Sequence, residues 1–358
     1  MNRTKALKLS ENRVWRIYLG GKLLDEFRFC ENGEDGYFPE DWIASVVPAN
    51  NPDRDGKPEK EGLTATVNGE YLRDLIASDP DGYLGKRHTE KLGDNFGVLT
   101  KFLDSAERLP IQVHPDKASA KSLFNSDYGK TEAWYILGGR EIDGEEPYIL
   151  LGFKENVDKK QLRELFDKQD ISGMATLMHK IPVHAGDTFL IEGGTPHAIG
   201  PGCFLLEIQE PTDYTISLEK CNTKGERLPD FLCHQGIGFE KMFDCFHYVK
   251  QTDSELLNAF KLAPKSIFST DEYSVTCLIS YERTPCFSLN RYDIRAKCAI
   301  PSCERARAFV IVEGYGTVDG IDIRRGDSLF IPADRGEIDI DPTKGALTLL
   351  ECLPPYIG

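Results

Sequence analysis

A strand-and-turn unit occurs twice in this chain and constrains its fold more than any other feature of the sequence. Residues 183–191 and 323–332 each contain a polar lead, a Gly-Asp turn and an apolar strand. Glycine supplies the positive φ that a tight connection between strands requires, and aspartate can hydrogen-bond the neighbouring backbone. Further short segments rich in β-branched and aromatic residues are bounded by Gly, Pro, Asn and Asp. The pattern predicts a mainly β protein in which one β unit is used twice.

A second repeated feature extends this prediction to two domains. A strand leading into a Gly-rich turn occurs at residues 133–139 and again at 309–316, each time a little before the Gly-Asp turn. We therefore expect two jelly-roll barrels. Leu162, Leu165 and Phe166 have helical spacing, which predicts a small helical insertion near residues 155–180 in the first barrel. The expected organisation is an N-terminal catalytic domain at 1–224, a linker region at 225–264 and a C-terminal jelly-roll domain at 265–358.

The charge and hydropathy of the chain exclude some classes of partner. The formal net charge is −15 and no basic stripe interrupts the acidic balance, so the composition argues against nucleic-acid binding. No window approaches the roughly 18 apolar residues of a membrane span, and the first 12 residues lack the apolar core of a signal peptide. We expect a cytoplasmic protein without a membrane partner. An anionic small substrate would need a locally basic pocket.

Four polar residues in three separate segments form a candidate metal-binding set. Gln112 and His114 have the i, i+2 spacing that places two side chains on one face of a strand, and Pro115 follows them. Glu132 would enter from a neighbouring strand, and His197 follows a Gly-Gly-Thr-Pro turn. Two imidazoles, a carboxylate and an amide suit zinc or another borderline divalent ion. Because no cysteine takes part, the set favours a catalytic site over a structural one.

The same segments resemble a known family of enzymes. The runs are Leu99 to Asp104, Ile111 to Lys117, Lys130 to Tyr135 and Gly194 to Gly200. Together they resemble the type I mannose-6-phosphate isomerases in their short bacterial form, which are members of the cupin superfamily. The resemblance extends in weaker form from about Trp15 to Gln209, and it is specific because four separated motifs occur in the right order.

The resemblance implies a double-cupin enzyme that interconverts mannose 6-phosphate and fructose 6-phosphate through a cis-enediol. It implies one Zn²⁺ per chain, a sugar phosphate as the small-molecule partner, and either a monomer or a homodimer. It assigns Gln112, His114, Glu132 and His197 as zinc ligands. It places Lys130 beside the metal and Lys101 at the substrate phosphate, with Lys117 as a weaker basic candidate. The base that transfers the proton is left open among Lys130, Glu210, Asp213 and a metal-bound water.

Position 217 departs from the family pattern. Family members have a substrate-facing arginine here, whereas this chain has Ser217, which lacks the charge and the five-donor fork. Three explanations compete. Another cation such as Lys220 or Arg227 could replace the arginine, the chain could act on a different sugar or sugar phosphate, or it could retain the metal with little turnover.

Two other classes of function compete with the isomerase. A sugar-binding or regulatory protein would keep the metal without turnover, as Ser217 allows. A metal-dependent oxygenase is disfavoured, because such sites use two or three histidines with one carboxylate and do not explain the glutamine or the Lys-x-Glu segment.

Overall fold

The computed structural model describes residues 5–51, 56, 58–154 and 156–358. Strands dominate these residues and short helices connect them. The strands of the first half are β1 (Leu7–Lys8), β2 (Arg13–Val14), β3 (Glu40–Ile43), β4 (Leu99–Asp104), β5 (Gln112–Val113), β6 (Glu132–Gly139), β7 (Tyr148–Phe153), β8 (Met178–Pro182), β9 (Thr188–Ile191), β10 (His197–Ile199), β11 (Cys203–Gln209) and β12 (Ile216–Ser217). Those of the second half are β13 (Lys265–Ser269), β14 (Tyr273–Ile279), β15 (Ser288–Ile294), β16 (Cys298–Ile300), β17 (Arg307–Glu313), β18 (Tyr315–Val318), β19 (Ile321–Arg324), β20 (Ser328–Ile331), β21 (Ile338–Pro342) and β22 (Leu347–Leu353).

The helices are short and lie mainly in the first half. They are α1 (Lys22–Phe27), α2 (Leu72–Ser78), α3 (Pro80–Leu84), α4 (Lys86–Leu92), α5 (Lys117–Phe124), α6 (Lys159–Lys168), α7 (Ile171–Thr176), α8 (Asp230–His234) and α9 (Asp253–Phe260). Two 3-10 helices, Met242–Cys245 and Ala333–Arg335, complete the set for the described residues.

Each half contains two sheets of antiparallel neighbours. The first half has a six-stranded sheet in the order β2-β3-β4-β11-β6-β9 and a five-stranded sheet in the order β12-β5-β10-β7-β8. The second half has a seven-stranded sheet, β1-β20-β17-β22-β15-β14-β13, and a four-stranded sheet, β16-β21-β18-β19. The mainly β prediction is confirmed. The two predicted barrels are not confirmed: apart from β1, the strands of each half are divided between two open sheets, and no closed barrel is found in the part of the chain described.

The sheets stack in four layers because the strands at the centre are apolar on both faces. On β11, Cys203 and Leu205 pack in the core shared with the five-stranded sheet. Phe204 and Leu206 of the same strand pack in the core shared with the seven-stranded sheet. Side chains alternate along a strand, so a run of seven buried residues predicts burial on both sides. The six-stranded sheet is therefore a wall between two cores.

The seven-stranded sheet has the same two-faced burial. Ala308 and Val310 of β17 pack toward the six-stranded sheet, whereas Phe309 and Ile311 pack toward the four-stranded sheet. The order of layers is thus five, six, seven and four strands. In addition, β1 pairs with β20, with Leu7 opposite Phe330, so the N-terminal strand lies in a sheet of the second half. The domain boundaries at residues 225 and 265 stay a proposal.

A helical insertion lies where the sequence places one. Helix α6 begins at the side chain of Asp158, which accepts the N–H of Gln161, and α7 begins in the same way at Asp170. Leu162, Phe166 and Met174 pack with Tyr148, Leu150 and Phe153 on the outer face of the five-stranded sheet. The insertion therefore covers a face of β7 that would otherwise expose apolar side chains.

The segment predicted as a linker is packed against the first half. Met242 and Phe243 belong to the core beneath α6 and α7, and Leu256 and Phe260 of α9 reach the core between the five- and six-stranded sheets. Helix α9 begins with a capping box formed by Thr252 and Glu255. That Thr-x-x-Glu spacing is visible in the sequence and indicates a helix.

Across the described residues, none of the helices combines the length and apolar character of a membrane span.

Asp104 should make the stability of the fold dependent on pH. It ends β4, is buried, and accepts the backbone N–H groups of Gly21 and Leu23, both at 2.8 Å. Burial raises the pKa of Asp104 to about 6, and the backbone hydrogen bonds and Arg140 only partly oppose this. The folded state therefore binds the proton more tightly than the unfolded state does. The contribution of protonated Asp104 to the free energy of unfolding is fully present below about pH 4 and is lost as the pH rises through 6.

We expect Asp104→Asn to remove this loss, because an amide cannot ionise and its oxygen can still accept the backbone N–H groups. Urea unfolding at pH 4, 5, 6 and 7 measures the effect. Relative to the variant, the wild type should lose about 2–3 kcal/mol of unfolding free energy between pH 4 and 7. Parallel pH profiles for the two proteins would contradict the assignment.

Candidate metal centre

The candidate site lies at one end of the core between the five- and six-stranded sheets. Along β6, Trp134 and Ile136 face this core, and the next position on the same face is Glu132. Along β11, Cys203 and Leu205 face it, and the next position is Glu207. Alternate residues of each strand point into this core, so Glu132 and Glu207 lie on the same faces as the apolar residues, at the end of the core.

The five-stranded sheet supplies the opposing side chains. His197 begins β10 and pairs with Gln112 of β5, which brings the Gly-Gly-Thr-Pro turn beside the first ligand segment. His114, Glu132 and His197 are buried, and one ligand atom from each lies within 4.8 Å of the others. These three residues are called the triad below. The structure thus brings together three of the four predicted ligands as a buried cluster.

Backbone carbonyls fix the tautomers of both histidines. Nδ1 of His114 lies 2.8 Å from the carbonyl oxygen of Tyr214, and Nδ1 of His197 lies 2.9 Å from that of Thr195. A carbonyl oxygen can only accept, so each Nδ1 donates and each Nε2 presents a lone pair. The two Nε2 atoms lie 3.0 and 3.3 Å from the carboxylate oxygens of Glu132.

The electrostatic environment keeps this cluster in its metal-binding protonation state. Burial, followed by the charge of Lys130, lowers the pKa of His114 to about 3, and burial also lowers that of His197. Burial by itself would raise the pKa of Glu132, but Lys130 and His114 hold it well below its usual value. Two neutral imidazoles and a carboxylate are the forms that bind a metal.

The residues present fit a divalent metal. Oε1 of Glu132 is buried and accepts no hydrogen bond among the described residues, although it faces Nε2 of His197. An unsatisfied buried carboxylate oxygen is costly unless a ligand completes it. The half-buried Gln112 lies beside the triad, with its amide nitrogen 3.2 Å from Nε2 of His197. Its membership of the ligand set stays a prediction.

Lys130 lies within this cluster. Its Nζ is 2.7 Å from Nε2 of His114 and 2.8 Å from Oε2 of Glu132, and the side chain is buried. The ammonium group therefore donates to two members of the triad. The place of Lys130 beside a metal stays a prediction.

A cavity opens next to the triad. Its polar lining contains Arg16, Glu40, Asn50, Asn51, Lys101, Gln112, Lys130, Glu207, Asp213, Thr215, Ser217 and Gln235. Lys101 is buried, with Nζ 3.2 Å from Glu207 and 3.5 Å from Glu40. Burial alone would lower the pKa of Lys101, but the two carboxylates raise it above its usual value. Burial and nearby Glu132 raise the pKa of Glu207 to about 7.

The remaining predicted site residues differ in position. Asp213 lines the cavity and is ion-paired with Arg16. Glu210 is buried outside the described lining, where its Oε2 accepts the backbone N–H of Thr131 at 2.9 Å. Lys117 is exposed at the start of α5, also outside that lining. The structure thus brings Asp213 and Lys101 to the cavity but not Glu210 or Lys117.

The two cations suggested as substitutes for the missing arginine are not in the cavity. Nζ of Lys220 lies 4.2 Å from the ring centroid of Phe166, within the helical insertion. Arg227 is exposed and pairs with Asp230. Ser217 does line the cavity, directly opposite Gln112 in the β5–β12 ladder. The cations nearest to position 217 in sequence are therefore not the ones that line the cavity.

Arg16 and Glu40 are site residues that the sequence analysis missed. Arg16 lies in the apolar run 14–19, whereas Glu40 is followed by a second acid, Asp41. A charged residue inside a short apolar run indicates burial with a partner, and that signal could have identified Arg16.

Comparison with known proteins places these features in a family. A family model described as phosphomannose isomerase type I, catalytic domain, matches residues 58–132. The mannose-6-phosphate isomerase of Streptococcus mutans is 29% identical over 325 residues, covering 88% of this chain and 89% of that protein. A mannose-6-phosphate isomerase of Bacillus subtilis is 36% identical over 126 residues, covering 35% and 38%. The crystal structure of the mannose 6-phosphate isomerase from Bacillus subtilis superposes with a TM-score of 0.73 at 22% identity, covering 98% and 99%.

The fold and the site together define a mainly β protein with the fold of the solved mannose 6-phosphate isomerases and a buried triad of residues that could hold a metal ion. The chain is similar to the type I phosphomannose isomerases, so the resemblance predicted from its motifs is confirmed. The relatives and the matching family model are all named as mannose-6-phosphate or phosphomannose isomerases. The prediction that the chain is an enzyme of this kind is therefore confirmed.

Removing either histidine of the triad should abolish tight metal binding. Changes to groups that merely orient a ligand weaken metal binding about 10–100-fold, so loss of a ligand in His114→Ala or His197→Ala should weaken it by more than about 100-fold. Elemental analysis after dialysis against a metal buffer measures this. His184→Ala is the matched control, because His184 is exposed outside the triad. Equal metal content in all four proteins would refute the site.

Proposed function

We propose that this protein is a metal-dependent aldose–ketose isomerase that interconverts mannose 6-phosphate and fructose 6-phosphate. The observation that supports this most is the triad His114–Glu132–His197, which contacts Lys130 in the lining of a cavity that also contains Lys101. A metal site next to buried cations suits a substrate with a polar reacting end and an anionic group. The names of the relatives support mannose 6-phosphate as that substrate.

We propose zinc as the metal and one ion per chain. Two imidazole nitrogens and one carboxylate, without cysteine, form the donor set of an open catalytic zinc site. Gln112 lies at the edge of the triad and is the proposed fourth protein ligand. When bound, such an ion polarises a substrate carbonyl and stabilises negative charge on its oxygens.

The proposed reaction passes through a cis-enediol, which requires a proton to move between two adjacent carbons. Lys130 is the first candidate for this transfer, since its ammonium group lies beside the triad and faces the cavity. Glu207 is a candidate that the sequence analysis did not name, because its pKa of about 7 suits a group that gains and loses a proton near neutral pH. Glu210 is less suited, since its carboxylate is bonded to the backbone outside the described cavity lining.

Finer points of the sequence analysis belong to the same proposal. Each pair of facing sheets is proposed to be an open jelly roll of the cupin type, and the catalytic unit is proposed to be the first half. A cytoplasmic location and a monomeric or homodimeric state stay predictions. The same holds for the absence of nucleic-acid and membrane partners.

Ser217 favours a second candidate function. It leaves the position beside Gln112 without the arginine of the family pattern. A protein that binds a sugar phosphate at the metal with little turnover would keep the metal ligands and could lack this arginine.

A coupled assay of mannose 6-phosphate isomerisation tests the leading proposal. We expect turnover by the metal-loaded protein, loss of turnover with a chelator and recovery on adding Zn²⁺. His114→Ala should lose at least about 10³-fold in kcat/KM, because the metal's contribution of several kcal/mol is removed. His184→Ala should retain wild-type activity.

Three outcomes would contradict the isomerase. Activity unaffected by metal removal would exclude the triad as its centre. Binding of fructose 6-phosphate without turnover would support the binding protein instead. Oxygen-dependent activity with iron would support an oxygenase.

Replacing Ser217 with arginine tests the departure from the family. We expect a change in kcat/KM of less than about threefold, because Arg16, Lys101 and Lys130 already line the described part of the cavity. Steady-state kinetics on mannose 6-phosphate provide the measurement. A gain above about tenfold, or 1.4 kcal/mol, would show instead that the missing guanidinium limits the reaction.

A further inference from the structure

Arg16 brings a buried guanidinium group into the cavity from a segment far from the metal-binding motifs. It follows β2, and only 12% of its side chain is exposed. Its guanidinium carbon lies 4.9 Å from the ring centroid of Trp42. An arginine in this setting stacks on one flat face and directs its N–H groups sideways, which leaves the fork well oriented for an anion.

Two carboxylates from different elements hold this group in place. Nε of Arg16 lies 3.0 Å from Glu40, and its two terminal nitrogens lie 3.3 Å from the two oxygens of Asp213. Burial alone would lower the pKa of Arg16, but Asp213 and Glu40 raise it well above its usual value. The charge is therefore permanent.

Glu40 is itself immobilised. It accepts hydrogen bonds from the Tyr18 hydroxyl at 2.6 Å and from Nε1 of Trp42 at 2.7 Å. It also contacts Lys101 at 3.5 Å, so one carboxylate orients two of the cavity's cations. Such a fixed pair of cations is preorganised for a ligand with more than one negative charge.

The charged groups follow one another along the cavity wall. Starting from the triad, the successive neighbours are Lys130, Glu207, Lys101, Glu40, Arg16 and Asp213. Arg16 contacts Glu40 and Asp213, whereas Lys130 is the cation that contacts the triad. The reacting carbons of a substrate would lie at the triad, so a cation of the same cavity that is paired elsewhere is placed for another part of the substrate.

We propose that Arg16 binds the phosphate group of the substrate, together with Lys101, and that Glu40 and Asp213 position it. The inference rests on the proposed function for the identity of the phosphate ester. The two hydrogen bonds from Arg16 to Asp213 are 3.3 Å long, which is longer than the roughly 2.7–2.9 Å of a strong charge-assisted hydrogen bond. The guanidinium group of Arg16 can therefore also bind a second anion. The cavity thereby gains an arginine that position 217 does not supply.

Steady-state kinetics of Arg16→Gln and Arg16→Lys test this role. For Arg16→Gln we expect the KM for mannose 6-phosphate to rise at least tenfold while kcat changes less than about threefold, the pattern of a lost contact that is equal in ground and transition states. Arg16→Lys keeps the charge but loses the fork, so its KM should be intermediate. Metal content should be unchanged.

Arg13→Gln is the matched control. Arg13 belongs to the same N-terminal segment and is ion-paired with Asp25, but it is not part of the cavity lining described. Its KM and kcat should equal those of the wild type. Equal effects of Arg13→Gln and Arg16→Gln would assign Arg16 a merely structural role and overturn the inference.

Calorimetric titration with inorganic phosphate separates this inference from the proposed function. The metal-loaded wild type should bind phosphate at least tenfold more tightly than Arg16→Gln does, whether or not the protein turns over mannose 6-phosphate. A wild type without turnover would refute the isomerase while this comparison still decides the role of Arg16. Equal phosphate affinity and equal KM in the wild type and Arg16→Gln would refute the inference.

Discussion

The series of buried charges along the first-half core is the interaction on which the site depends. Lys101, Lys130, Glu132 and Glu207 are each less than 5% exposed. An isolated charge at such depth would be strongly destabilising, so each one requires a partner at close range. The pairs Lys130–Glu132 at 2.8 Å and Lys101–Glu207 at 3.2 Å meet this requirement. Removing one member would leave its partner unpaired, so the positions of these residues constrain each other.

The fold makes this arrangement possible by interrupting an apolar core at one end. Lys101 pairs directly with Glu207 in the β4–β11 ladder, on the face where Leu103 and Leu205 are apolar. The same sheet is covered on its other face by the seven-stranded sheet, which excludes water from behind the site. The second half supplies that cover. The metal-binding cluster found among the described residues lies in the first half.

Arg16 brings a positive charge into the cavity from a segment that is remote in sequence from position 217. Position 217 lies on β12, beside the metal end of the cavity, whereas Arg16 comes from the segment after β2. The two are brought to one cavity by the packing of the N-terminal segment against β3 and the loop that contains Asp213. Electrostatic attraction depends on distance in space, so a cation can be replaced from any element that reaches the cavity.

Local sequence signals were enough to predict the mainly β class, the clustering of His114, Glu132 and His197, and the position of the helical insertion. These follow from local periodicity, from turn chemistry and from ligand types in short motifs, all of which are encoded within a few residues. The local signals did not determine that the strands divide into four open layers, that Glu210 and Lys117 lie outside the described cavity lining, or that residues 225–264 pack against the first half. Nor did they identify Arg16, whose partner Asp213 is 197 positions away. These outcomes depend on which faces meet across the sheets, and that contact between distant segments is not encoded in any local pattern.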